Sequence, residues 1–147
     1  MAESRSQRMQ IVLTLAERHE QAAAQRLGNF REQVNAEQEQ LRQLEEYAAH
    51  YLDTYGSLKT GLHAQDLISY SSFIQRLGDA KKEQQAKIAR LMQALDQLQQ
   101  EWRDKHRRRE SIQDLIARLR YEENDVLEKR LQKELDDLSA QQFQRQS

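Results

Sequence analysis

The sequence has no cysteine and no proline, and its 147 residues include only four glycines and one tryptophan. The lack of cysteine excludes disulfides, thiol nucleophiles and Cys-ligated metals, and it suits a reducing compartment. The lack of proline leaves long helices without their strongest breaker. No run of about 18 apolar residues is present, and the polar start lacks the apolar segment of a signal peptide. These absences predict a cytoplasmic protein without a transmembrane segment.

Hydrophobic residues make up 37% of the chain and charged residues 32%, which is too little apolar material for a thick globular core. The apolar residues instead recur at alternating steps of three and four, in two seams. The first seam comprises Met9, Leu13, Ala16, Ala23, Leu27, Phe30, Val34, Leu41, Leu44, Ala48, Tyr51 and Tyr55, with Glu20 and Glu37 interrupting it. The second comprises Ile74, Leu77, Ile88, Leu91, Leu95, Leu98, Trp102, Ile112, Ile116, Leu119 and Val126. This period predicts two coil-forming helices.

The expected fold is all-α, a single domain over residues 1–147 built as a long antiparallel two-helix coiled coil. Helix 1 is predicted over about 5–55, capped by Ser4 or Ser6. A loop is predicted over 56–69, with one short helical turn around 64–68. Helix 2 is predicted over about 70–143, capped by Ser69, Ser71 or Ser72. The short connection makes the helices antiparallel neighbours.

The two seams match when paired positions add up to 125. In this register Tyr55 faces Tyr70, Ala23 faces Trp102, and Glu20 faces Lys105. The largest side chain then meets one of the smallest, and two seam charges can pair. The register also leaves helix 2 overhanging over about 120–143.

From the end of the paired seam into the overhang, the spacing changes to several successive steps of four, at Leu119, Glu123, Leu127, Leu131, Leu135 and Leu138. Successive steps of four locally unwind a supercoil. An apolar stripe with no internal partner is a candidate binding surface. A second copy of the chain, or a tail that bends back, are alternative ways to cover it.

The net charge of −1 hides a basic segment, since residues 76–109 hold ten Lys or Arg against five Asp or Glu. Its densest part comprises Arg103, Lys105, His106, Arg107, Arg108 and Arg109. Such a cluster binds nucleic acid phosphates or an acidic protein surface, or it is neutralised internally by Glu17 and Glu20. Because only Trp102 supplies an aromatic ring there, nucleic acid is not the expected partner.

No catalytic constellation is present. The four histidines are scattered, no glycine-rich phosphate loop exists, and a two-helix coil offers no water-excluded pocket. We therefore expect no enzyme activity, no cofactor and no metal.

Aromatic residues gather beside the predicted loop. Tyr47, Tyr51 and Tyr55 come from helix 1, and Tyr70 and Phe73 from the start of helix 2. Rings that flank the seam of a thin coil cannot all be buried by one partner helix, which indicates an external binding patch. Packing by Leu58, Leu62 and Leu67 of the loop is the alternative.

Three segments carry a family resemblance: residues 44–51 (LEEYAAHY), residues 70–80 (YSSFIQRLGDA) and residues 102–105 (WRDK). In this order they resemble the FliJ family of bacterial flagellar export proteins, over nearly the whole chain. The resemblance implies a fold similar to the central stalk subunit of rotary ATPases.

The resemblance also implies a function in flagellar type III protein export. The chain would bind the hexameric export ATPase, the cytoplasmic domain of the export gate and flagellar substrate chaperones, at the cytoplasmic face of the inner membrane. The implied gate contacts are Tyr47, Tyr51, Phe73, Leu77 and Ala80, while Gln84 stands where the family can have histidine. Trp102, Arg103 and Lys105 match a basic stem element, continued by Arg107, Arg108 and Arg109. Leu127, Leu131, Leu135 and Leu138 are the candidate ATPase contacts.

Three other functions remain open from the sequence. A stalk protein of a virulence injectisome would share the coil and the ATPase. A coiled-coil protein associated with nucleic acid would use the cations from Arg103 to Arg109, and a generic scaffold would be a homodimer. The stalk function predicts a monomer in isolation.

Overall fold

A computed structural model describes residues 3–56 and 64–146 of the chain. It contains two long helices that pack against each other, α1 over Arg5–Gly56 and α2 over Ala64–Gln146, and the described residues include no strand. Ala, Leu, Glu, Gln, Lys and Arg, all strong helix formers, dominate both helices. The predicted all-α, antiparallel two-helix coiled coil is confirmed.

The start of α1 is held by a capping box. The Ser4 hydroxyl oxygen accepts the backbone N–H of Gln7 at 3.3 Å, and the Gln7 side chain accepts the backbone N–H of Ser4 at 3.2 Å. These reciprocal bonds satisfy two backbone donors that a helix end leaves without partners. Of the two predicted caps, Ser4 is therefore the one used.

The α2 helix begins at Ala64, before the expected start at Tyr70, so the helical turn expected around 64–68 is the first part of α2 itself. The serines at positions 69, 71 and 72 do not cap the helix, because they lie inside it. Leu67 and Ile68 are largely exposed on this added turn. The rest of the predicted loop, residues 57–63, lies outside the described residues.

The chain divides into two compact units. The first combines α1 up to Ala22 with α2 from Arg103 onward. Its core is Ala16, Ile112 and Ile116, against which Met9 and Leu13 pack. Small and branched apolar side chains alternate across this contact, as an interdigitated two-helix core requires.

The second unit runs from Ala23 to Trp102. Its buried apolar residues are Ala23, Leu27 and Val34 on α1 and Leu77 on α2. Their spacings on α1 are those of a heptad seam. Antiparallel pairing in this unit is shown by Tyr55, which contacts Tyr70, and by Arg26, which pairs with Glu101 at 2.8 Å.

The two seam carboxylates are each held by side chains of α2. Glu20 accepts a hydrogen bond from Arg109 Nε at 2.7 Å and lies 3.4 Å from His106 Nδ1, so the expected partner Lys105 is replaced by residues up to one turn further along. Glu37 accepts bonds from Gln84 Nε2 at 2.6 Å and Lys87 Nζ at 2.9 Å. The Gln84 bond, followed by the Lys87 bond, lowers the pKa of Glu37. Polar pairs at seam positions fix the register of a coil.

Within the described residues, neither helix has a stretch long and apolar enough to cross a membrane.

Candidate functional site

Five aromatic rings form one contact network in the unit from Ala23 to Trp102, which we call the aromatic patch: Tyr47, Tyr51, Tyr55, Tyr70 and Phe73. Tyr51 is its centre, with ring centroids 4.4 Å from Phe73, 4.4 Å from Tyr55 and 5.4 Å from Tyr70. Phe73 also meets Tyr47 edge-on at 6.2 Å. These offset and edge-on geometries are the favourable ones for aromatic pairs.

Burial divides the residues that sequence analysis assigned to the gate contact. Tyr47 is 53% exposed, Tyr51, Phe73 and Ala80 are half-buried, and Leu77 is buried. Leu77 therefore packs in the core of this unit, beneath the surface that a partner would reach. Desolvation, followed by the neighbouring tyrosines, raises the pKa of Tyr51.

A shallow groove of about 680 Å³ continues the patch along both helices. It is lined by Tyr47, Leu44, Ala80 and Gln84, among other residues. Gln84, the position at which family members can have histidine, donates to Glu37 and so lies at the wall of the groove with a fixed side chain. The groove thus joins the exposed ring of Tyr47 to polar side chains of Gln40, Gln43, Glu83 and Gln84.

The predicted alternative, that loop leucines cover the rings, is not supported at Leu67, which is 51% exposed on α2. Leu58 and Leu62 lie outside the described residues.

The second predicted surface is the end of α2 from residue 126 onward, which we call the tail. Every described residue from 126 onward is exposed. The stripe of apolar side chains at its centre consists of Leu127, Leu131, Leu135 and Leu138, which are between 51% and 60% exposed. Since α1 begins at Arg5, and Ser6 already contacts Glu123, α1 supplies no residue to cover this stripe.

The basic run divides into internal and external members. Arg109 binds Glu20, whose hydrogen bond raises the pKa of the guanidinium, and His106 lies between Glu20 and Glu110. Arg103, Arg107 and Arg108 are exposed, and Lys105 is half-buried. Trp102, in the other unit, is half-buried, while Ala23 is buried, and their predicted contact stays a prediction.

Sequence reasoning missed one surface. Ile11, Val12 and Leu15 lie on α1 outside the seam, and Ile11 is 74% exposed. The signal was present in the sequence, because Ile11 and Leu15 are four residues apart and neither fits the spacing of Met9, Leu13 and Ala16.

No group of three or more His, Asp or Glu side chains suited to a metal ion occurs among the described residues.

The sequence model of the family described as Flagellar FliJ protein matches residues 5–147. The Flagellar FliJ protein of Escherichia coli (strain K12) is 30% identical over 105 residues, which cover 71% of this chain and 71% of that protein. No solved structure was found to match the chain. Since the family match extends over both helices and includes the aromatic patch, the basic run and the tail, the chain belongs to the FliJ family of flagellar proteins.

Proposed function

We propose that this protein is a non-enzymatic stalk component of the flagellar type III export apparatus. It binds the hexameric export ATPase and the cytoplasmic domain of the export gate, and it escorts or recycles flagellar substrate chaperones. It acts at the cytoplasmic face of the inner membrane, held there through these partners. Family membership supports the role in flagellar export, and the two exposed apolar surfaces support the division of contacts.

The observation that carries the proposal is the grouping of exposed apolar side chains into separate clusters in the two units. The aromatic patch lies in the unit from Ala23 to Trp102, whereas the tail leucines belong to the other unit, which combines α1 up to Ala22 with α2 from Arg103 onward. Large exposed apolar clusters on a polar coil mark protein contacts. Two clusters on different units favour two partners that bind independently.

We assign the export gate to the aromatic patch and its groove. Tyr47, Phe73 and Ala80 supply accessible surface, and Tyr51 and Leu77 support it from below. Aromatic side chains contribute large contact areas at little entropic cost, which makes them frequent hot spots. Tyr47, the most exposed of these five residues, is the contact whose loss should affect the gate without loosening the core.

We assign the export ATPase to the tail. A single helix with a leucine stripe can pack into the space between ATPase subunits, and burying half-exposed leucines there contributes to binding. The exposed cations Arg103, Arg107 and Arg108 add a basic stem that attracts acidic partner surfaces.

The experiment is a pull-down of the purified full-length chain with the export gate's cytoplasmic domain and with the export ATPase. The test variant is Tyr47→Ala combined with Phe73→Ala, and the matched control is Tyr121→Ala, a tyrosine that is 77% exposed in the other unit. Loss of gate binding by the test variant alone, with ATPase binding retained, is the expected result. Full gate binding by the test variant, with an unchanged circular dichroism spectrum, would refute the assignment.

A further inference from the structure

A groove between α1 and α2 lies in the unit that contains the tail, away from the tail itself. It has a volume of about 250 Å³ and is lined by Val12, Leu15, Ala16, His19, Lys105 and Arg108. That volume is below the about 300–1,000 Å³ of pockets that hold drug-sized ligands. The groove can instead receive one or two side chains of an incoming polypeptide.

The floor of the groove is apolar and its rim is basic. Val12 and Leu15 are partly exposed to solvent, above the buried Ala16. The ionisable side chains that line the groove are His19, Lys105 and Arg108, all of which are bases. This arrangement favours a ligand that brings apolar side chains and negative charge together.

The apolar floor continues along α1 beyond the groove. Ile11 lies one turn before Leu15, and Arg8 and Arg18 lie three residues before Ile11 and three residues after Leu15. Residues three and four apart lie on the same face of a helix. The exposed face therefore consists of an apolar centre with cations at both ends, about two to three turns long.

The cations at the rim are available for a partner. Among the described residues, no ion pair within 4.0 Å involves Lys105 or Arg108, nor Arg8 or Arg18. Arg109, by contrast, is occupied by Glu20. Arg109 is therefore not available to a partner, in contrast to Lys105 and Arg108.

We propose that this surface, formed by Ile11, Val12 and Leu15 with the cations around them, binds an acidic amphipathic helix of a partner protein. Helices in grooves place apolar side chains at every third or fourth position into the floor, and their flanking carboxylates meet the basic rim. The apolar centre of the surface complements the apolar face of such a helix, and its basic ends complement the carboxylates of the helix. The proposal does not depend on the proposed function.

Two other macromolecules would use this surface differently. Nucleic acid contacts phosphates with the cations and gains nothing from the apolar floor. An anionic membrane is flat on this scale and favours a wide, convex apolar face over a narrow groove. The experiment below distinguishes binding of nucleic acid and of a membrane from binding of an acidic helix.

The probe is a fluorescently labelled synthetic helical peptide of about 20 residues, with leucines at alternating steps of three and four and Glu and Ala elsewhere. A second peptide has Lys in place of every Glu. Binding of each to the full-length chain is measured by fluorescence anisotropy. We expect the acidic peptide to bind, and the Lys105→Glu/Arg108→Glu variant to weaken it by about tenfold or more while improving the basic peptide.

The apolar contribution is tested separately with Ile11→Ser/Leu15→Ser, which should also weaken the acidic peptide without changing its salt dependence. Two matched controls should leave the affinity unchanged. Arg31→Glu/Arg90→Glu alters two exposed cations of the other unit, and Leu127→Ser/Leu131→Ser alters two exposed leucines of the tail. Circular dichroism confirms that each variant is folded.

Four results would overturn the proposal. The first is equal affinity of the chain for the acidic and the basic peptide. The second is a loss of affinity in the control variants as large as that in Lys105→Glu/Arg108→Glu. The third is binding to duplex DNA, or to vesicles of phosphatidylcholine and phosphatidylserine, that depends on Lys105 and Arg108. The fourth is self-association of the chain that Ile11→Ser/Leu15→Ser abolishes, because the occupant would then be a second copy.

Discussion

Ser6 and Glu123 join the first turn of α1 to α2. The Glu123 carboxylate accepts the Ser6 hydroxyl at 2.7 Å and the Ser6 backbone N–H at 3.1 Å. Ser6 is buried, although serine is mostly an exposed residue, so this pair satisfies a polar side chain at the point where α1 begins. Beyond it α2 continues as the exposed tail.

Ser6→Ala should lower the free energy of unfolding by about 1 kcal/mol, because it leaves a charged acceptor without its hydroxyl partner. The measurement is urea denaturation followed by circular dichroism. Ser139→Ala, an exposed serine in the tail, is the control and should change little. A Ser6 variant as stable as the wild type would show that the start of α1 is frayed in solution.

Stability should fall in acid through Glu37 and Glu123. Hydrogen bonds from Gln84 and then Lys87 lower the pKa of Glu37, and those from the Ser6 hydroxyl and then its N–H lower the pKa of Glu123, both from the usual 4.5. A carboxyl whose pKa is lowered by folding contributes its full stabilisation above the pKa of the unfolded chain. That contribution is lost as the pH falls through the lowered pKa.

The matching variant is Glu37→Gln/Glu123→Gln, whose amides do not titrate. Urea midpoints measured from pH 7 to pH 3 should show the wild type more stable at neutral pH, with the difference narrowing below pH 4.5. A difference that stays constant over this range would show that neither carboxylate is linked to folding.

Core and tail should respond differently to the loss of the same kind of side chain. Ile116 is 3% exposed and lies in the core cluster, so Ile116→Ala should destabilise the chain by about 2–4 kcal/mol. Leu131 is 51% exposed, so Leu131→Ala should change stability by less than about 0.5 kcal/mol. Thermal and urea unfolding provide both values, and a large loss at Leu131 would indicate that the tail is covered in solution.

Light scattering should give the mass of one chain, 17.4 kDa, at micromolar concentration. The tail leucines alternate with charged residues of both signs, which offers a second copy no consistent charge complement. A mass of two chains that returns to one in Leu131→Asp/Leu135→Asp would identify the tail as a dimer contact instead.

The sequence predicts the two helices well because the seam period extends over both of them and no proline interrupts it. The cap at Ser4 also follows from the sequence, since Gln7 stands three residues later. For the start of α2 the sequence predicts only a short turn around 64–68, because Gln65 and Leu67 are exposed and form helix by propensity, without a buried face that the pattern could reveal. Short polar serines at 69, 71 and 72 mark a cap in many helices, but here they lie within one.

The partner of Glu20 was also beyond reach of the sequence. The register in which paired positions add up to 125 predicts Lys105 as the partner of Glu20. Arg109 and His106 bind the Glu20 carboxylate instead, because long side chains extend a full turn along a neighbouring helix. The apolar stripe of Ile11 and Leu15 was readable from its spacing, but the groove beside it was not, since its lining also requires Lys105 and Arg108 of α2. The aromatic patch was foreseen because rings beside a seam outnumber the positions that one partner helix can bury.

The central claim is that two separate surfaces of this chain bind two different export components, and one set of four binding measurements tests it most directly. The export ATPase and the cytoplasmic domain of the export gate are each titrated with Tyr47→Ala/Phe73→Ala and with Leu131→Asp/Leu135→Asp. We predict that the first variant loses only the gate and the second loses only the ATPase. Loss of both partners in either folded variant, or loss of neither, would contradict the claim.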